Sequence, residues 1–160
     1  MKQFLLSFRL NKENPSDFGL IGPNDEGFYI RIIDGSIWQS RKLYDNGWGQ
    51  ENGFVRIPYL DFKSLVEIVL NSEDQEDRLG AAEIIIEDHP DELLQYCEHI
   101  FIESDKSNIE KNRSFFKILN LKQPYNRSVT LNQRSEEIEK QHFRWKAIAK
   151  NVAKVLNSKK

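Results

Sequence analysis

Residues 61–110 read DFKSLVEIVL NSEDQEDRLG AAEIIIEDHP DELLQYCEHI FIESDKSNIE, and this stretch decides the fold class. Three apolar helical faces follow one another, each opened by a residue suited to a helix start. Asp61 is an N-cap, because its carboxylate accepts the backbone N–H groups that a first turn leaves unbonded. Phe62, Leu65, Val66, Ile68, Val69 and Leu70 then make one face through about Asn71. Ser72 and Gln75 have the spacing of a capping box. Glu73, Asp74, Glu76 and Asp77 crowd the turn that follows, where a helix dipole favours negative charge. That second helix runs to about Glu87, with Leu79, Ile84, Ile85 and Ile86 as core contacts. Its Gly80-Ala81-Ala82 patch is small enough to admit another helix at close range. Pro90 suits the first position of a third helix, where its missing N–H costs nothing. Leu93, Leu94, Cys97, Ile100 and Phe101 form its stripe, which ends near Ile102–Ser104.

Working back toward the N-terminus, the period changes from helical to strand-like. Gln3–Leu10 alternates, with Phe4, Leu6 and Phe8 on one face. Asn11–Ser16 is a loop, and Phe18–Ile21 a short strand closed by Gly22-Pro23-Asn24-Asp25. Gly27–Ile33 and Ser36–Tyr44 are strands joined by Asp34-Gly35, a pair that suits the positive φ angles of a two-residue type I′ turn. Asp45–Gly53 has three glycines in nine residues and reads as a loop, with Phe54–Tyr59 as the next strand. Trp48 in that loop is either a binding anchor or a lid on the core.

Toward the C-terminus, Ser104–Asn112 is polar and reads as a loop. Phe115, Phe116, Ile118, Leu119 and Leu121 make a short helix. Pro124 breaks it, and irregular chain follows to about Asn132. A long amphipathic helix starts near Ser135, with Glu136, Glu137 and Glu139 early and Lys150 and Lys154 late, which complements its dipole. Ile138, Trp145, Ile148, Ala149, Val152, Val155 and Leu156 share its apolar face. The expected fold is α+β in a single domain of residues 1–160. An N-terminal antiparallel meander of four or five strands packs on four or five helices, an acidic set over 61–103 and a basic set over 111–160.

The charge layout follows the same division. Residues 61–110 carry fifteen acidic and three basic side chains, a net of −12. Residues 1–60 hold seven of each, and residues 111–160 hold thirteen basic and three acidic, a net of +10. A whole-chain charge of −2 conceals this separation, which bears on partners or internal docking.

Asp74, then Asp77-Arg78-Leu79-Gly80-Ala81-Ala82, placed between two other helices, resembles the inter-helix turn and second helix of a HEAT-type repeat. That likeness covers about forty residues (61–103) and one unit; arrays of this kind usually need three or more. It implies a binding scaffold and no enzyme activity. In general character the chain is also similar to small bacterial toxin-immunity proteins, a likeness of type that no motif carries residue by residue.

Composition excludes several classes. At 39% hydrophobic and 30% charged the chain is an ordinary globular one. Its longest apolar runs fall far short of the roughly 20 residues that cross a bilayer. The start breaks at Arg9, too early for a secretory signal, and the lone Cys97 suits a reducing compartment, so a cytoplasmic location is expected. Phosphate-cradling loops, nucleophile elbows and dinucleotide fingerprints are absent. Cys97 and His99 lie two apart, about 200° around a helix, so they share no metal, and no cofactor or metal is expected.

The functional expectation is a non-enzymatic protein-binding domain of the immunity or inhibitor kind, whose acidic helical face neutralises a basic toxin or nuclease. The residues expected to meet the partner are Glu73, Asp74, Glu76, Asp77, Glu83, Glu87, Asp88, Asp91 and Glu92, with Trp48. The alternative is binding of nucleic acid or an anionic surface by the basic segment 111–160, where Phe115, Phe116, Tyr125, Phe143 and Trp145 lie among the cations. The acidic stretch of the same chain opposes it.

Overall fold

The computed structural model describes residues 1–6, 14–45, 50–103, 105–123 and 134–158. Five strands form one antiparallel sheet and six α-helices follow, an α+β fold. The chain divides into two compact units, residues 1–84 and 85–160.

In the first unit the strands are β1 (Phe4–Leu6), β2 (Leu20–Ile21), β3 (Phe28–Arg31), β4 (Ile37–Asp45) and β5 (Gln50–Arg56). Their order is β1-β5-β4-β3-β2. β2 to β5 form the meander; β1 closes against its last strand, with Phe4 opposite Val55, Leu5 opposite Phe54 and Leu6 opposite Gly53. All three β1 residues are buried, because both faces of this strand are covered. Leu5 joins Leu20, Trp38 and Phe54, with Phe18 and Tyr29 packed against them. Phe4 points to the opposite face, toward Gly80.

The β3–β4 hairpin lies where the sequence places it, but its turn is different. Five residues, Ile32 to Ser36, connect the strands, closed by Gly35 N–H to Arg31 O at 2.8 Å and Arg31 N–H to Ser36 O at 2.9 Å. Gly35 has a φ of 65°, while Asp34 stays out of the left-handed region a type I′ turn requires of it. Its carboxylate instead accepts from the Ser36 backbone N–H and hydroxyl. Local side-chain bonding has displaced the tighter turn.

Part of the glycine-rich segment expected to be loop is strand. β4 extends to Asp45 and β5 starts at Gln50, with a register shift between Lys42 and Tyr44. Gly53 is a strand residue. A Cβ there would lie 2.8 Å from both Leu5 O and Leu43 Cδ1, so the glycine reflects a close approach of β1 rather than a loop.

α1 (Phe62–Asn71) begins as expected, with the Asp61 carboxylate accepting from Ser64 N–H at 2.8 Å. α2 (Gln75–Asp88) begins later than a Ser72 cap would place it. Asp74 takes that role: its Oδ1 accepts from Glu76 N–H at 2.9 Å and Asp77 N–H at 3.1 Å. Ser72 ends α1 instead, and its hydroxyl accepts from Asp74 N–H. Arg78 Nε donates to Val69 O at 2.9 Å, which closes the last turn of α1.

The second unit holds the end of α2 and α3 (Pro90–Ile102), α4 (Lys106–Lys111), α5 (Arg113–Ile118) and α6 (Ser135–Asn157). Pro90 is the first residue of α3, as its chemistry dictates. The polar segment 105–112, expected to be loop, contains α4. Asp105 caps it by accepting from Ser107 N–H, and buried Asn112 accepts from the Tyr96 hydroxyl at 2.8 Å while donating to Asn108 O at 2.9 Å. These bonds order a helix whose own apolar content is too low to signal one. The core joins Leu93, Leu94, Cys97 and Ile100 of α3, Phe115 and Phe116 of α5, and Trp145, Ile148, Ala149 and Val152 of α6. Tyr96 meets Phe115 edge-on at 5.3 Å and Phe101 stacks on Phe116 at 5.4 Å. At the start of α6, Arg134 is the cap residue, and its N–H donates to Glu137.

Candidate functional site

The nine acidic residues singled out in the sequence fall into sets with different surroundings. In the first unit the start of α2 faces β1. Lys2 Nζ lies 2.6 Å from Asp74 and 2.8 Å from Glu76. Burial works to raise the Asp74 pKa, but the Lys2 ammonium and backbone donors outweigh it and hold the carboxyl below its usual range. Burial likewise works to lower the Lys2 pKa, and the two carboxylates outweigh it and raise it.

Asp77 is 6% exposed, and one oxygen of its carboxylate accepts from both Gln3 N–H and Phe4 N–H at 2.9 Å. Those are donors at the start of an edge strand that would otherwise be buried without partners. One turn further along α2, Gly80 leaves room for the Phe4 ring: a Cβ there would lie 2.3 Å from Phe4 Cγ. At Gly80 the small patch therefore receives a strand residue. Asp74, Glu76 and Asp77 together fasten β1 to α2. Glu73 is exposed and Glu83 half-buried.

In the second unit Glu87, Asp88, Asp91 and Glu92 are all exposed, four carboxylates in six positions where α2 ends and α3 begins. Glu92 lies 3.1 Å from His89 Nδ1, whose hydrogen bond is the main cause of the lowered Glu92 pKa. Asp91 accepts from Gln141 Nε2 of α6 at 3.1 Å. Further along α3, Glu98 receives both Arg144 Nε and Nη2 at 2.7 Å, a bidentate pair that lowers the Glu98 pKa and raises that of Arg144. The basic helix thus meets part of the acidic stretch inside this unit. Trp48 lies outside the described residues.

Two features were not singled out by sequence reasoning. Ile21, Ile30 and Ile37 are paired across β2, β3 and β4 and are 64%, 54% and 46% exposed, with Ile32 and Ile33 exposed in the adjoining turn. Alternation marks these segments as strands, but pattern cannot tell which end of a sheet face is covered. The second is a basic cleft beside α5. Among the described residues no three His, Cys, Asp or Glu side chains are grouped to hold a metal, and no helix is long and apolar enough to cross a membrane. Burial pushes the Cys97 thiol far above its usual range, which leaves it without nucleophilic character.

Comparison with protein families, curated proteins and solved structures gave no match to this chain.

Proposed function

We propose that this chain is a non-enzymatic protein-binding domain, of the immunity or inhibitor kind, that meets a basic toxin or nuclease through its acidic surface. The observation that supports the reading is the exposed corner of Glu87, Asp88, Asp91 and Glu92. Glu87 and Asp88 lie in the last turn of α2, where the helix dipole disfavours negative charge, so complementing that dipole does not account for them. Asp74, Glu76 and Asp77 have an evident role within the fold and drop out of the proposed contact surface. Clustered like charges of this kind steer encounter with a cationic partner and exclude anionic ones.

The test mixes this protein with the product of the adjacent gene and follows binding at about 50 and 300 mM salt. The reading expects a complex whose association rate falls with salt and which is lost on reversing all four charges to lysine. Binding that ignores the reversal sinks it.

A second reading has its own support on α6. Phe143 is 58% exposed, Lys146 Nζ lies 5.9 Å from its ring centroid, and Lys140, Lys150 and Lys154 are exposed on the same helix. A cationic helix with an exposed aromatic suits nucleic acid or an anionic surface. A mobility-shift assay at low salt that shows no complex excludes the nucleic-acid form.

A further inference from the structure

Beside α5, within the second unit, lies an open cleft of about 580 Å³. Lys111, Arg113, Lys117 and Lys122 line it, against the single carboxylate of Glu110. The chain brings these cations together by turning twice in a short length. α4 gives way to α5 at Asn112, and α5 ends in a left-handed residue, Asn120, with φ of 52°. Leu121 N–H then bonds back to Phe116 O at 3.1 Å, which returns Lys122 to the same concavity.

Among the described residues, Lys111, Lys117 and Lys122 form no ion pair, although carboxylates are abundant in this chain. Arg113 is different. Its Nη2 donates to Leu156 O at 3.1 Å and Ser158 O at 3.2 Å, tying down the end of α6. Its Nη1 is buried without a hydrogen-bond partner, with Glu110 Oε2 at 3.5 Å. Three uncompensated ammonium groups and an under-used guanidinium around one hollow repel each other until a multiply charged anion enters. The volume is that of a small-molecule site, not of a track for a polymer.

We propose that this cleft binds the phosphoryl groups of a small molecule, a role independent of the acidic corner. The oxygens of a pyrophosphate-like group match several point charges and a planar guanidinium better than a lone carboxylate does.

The test is calorimetric titration of the full chain with sodium pyrophosphate at about 50 mM salt, where surface charge is least screened. Parallel arms use adenosine triphosphate and a single-stranded decanucleotide. One saturable site is expected for pyrophosphate and for the nucleotide. Lys117→Ala and Lys122→Ala should each weaken it by about two- to fivefold, the range that exposed charge pairs supply. Glu110→Gln should tighten it, and Lys150→Ala, on α6 and outside the cleft lining, should leave it unchanged. The proposal is overturned by no saturable heat at about 10 mM pyrophosphate. Equal weakening by Lys150→Ala overturns it too, since that marks diffuse attraction, as does binding of the decanucleotide alone.

Discussion

Gly80→Ala sets two effects of opposite sign against each other. In an exposed helix interior the change stabilises by about 1 kcal/mol, because alanine has the higher helix propensity. At Gly80 the new Cβ would lie 2.3 Å from Phe4 Cγ and 2.6 Å from its Cβ and Cδ1. Ordinary contact begins near 3.4 Å, so the ring or the strand must retreat by about an ångström. Neither has room to do so. Phe4 is 1% exposed, and its N–H is bonded to Asp77, one turn earlier on the same helix. Overpacking of a fixed ring costs about 1–3 kcal/mol and more where the backbone is pinned, which outweighs the propensity gain and leaves a net loss of roughly 1–2 kcal/mol. Urea unfolding followed by circular dichroism should show the midpoint falling by about 0.5–1 M, given a slope near 2 kcal/mol/M. A double-mutant cycle isolates the cause: in a Phe4→Ala background, Gly80→Ala should become stabilising. If Gly80→Ala alone stabilises the protein, the close docking of β1 on α2 is refuted.

Three further outcomes follow from particular contacts. Asn120 adopts a left-handed φ in the C-terminal turn of α5, so Asn120→Gly should raise stability by up to about 1 kcal/mol and Asn120→Ala should lower it by a similar amount, read by thermal unfolding. Asp74 and Glu98 are held below their ordinary values of 3.8 and 4.5, so their stabilisation is complete above those values and is lost as pH falls through the lower folded ones. Lys2 is raised above 10.5, so its contribution is present below that pH and disappears as pH climbs beyond it, and buried Cys97, kept neutral in the fold, favours unfolding once pH passes its ordinary value of 9.0; stability against pH should therefore be flat from about 5 to 9 and fall at both ends. Cys97 is buried in the core of the second unit, so a thiol reagent should label it only as fast as that unit opens, with labelling at native pH accelerating in sub-denaturing urea.

The sequence was most informative where one residue settles a local conformation. Asp61 and Pro90 open helices by chemistry that needs no tertiary context, and the period-3.6 stripe of α6 identifies its buried face. It was least informative where partners are distant. The pairing of β1 with β5 joins residues about fifty positions apart and leaves no local trace. Ser72 and Asp74 are both good caps; Asp74, which takes the role, also pairs with Lys2, a contact the pattern does not contain. Asp77 illustrates the same limit for the candidate site. An acid in a first helical turn looks like a complement to the dipole, yet its carboxylate is buried against two N–H groups from the N-terminus. The exposed corner at Glu87–Glu92 was visible as charge, but only burial separates it from the acids that belong to the fold.

The central claim is that division of the acidic stretch, and paired neutralisation tests it most directly. Urea unfolding is measured for Asp77→Ala and, alongside it, for the combined Glu87→Gln, Asp88→Asn, Asp91→Asn and Glu92→Gln variant. Removing Asp77 strands two backbone donors and should cost roughly 2–5 kcal/mol. Neutralising four exposed carboxylates should change stability by under about 1 kcal/mol, as exposed pairs contribute little. An Asp77→Ala protein as stable as the parent, or a fourfold variant that unfolds, would contradict the account.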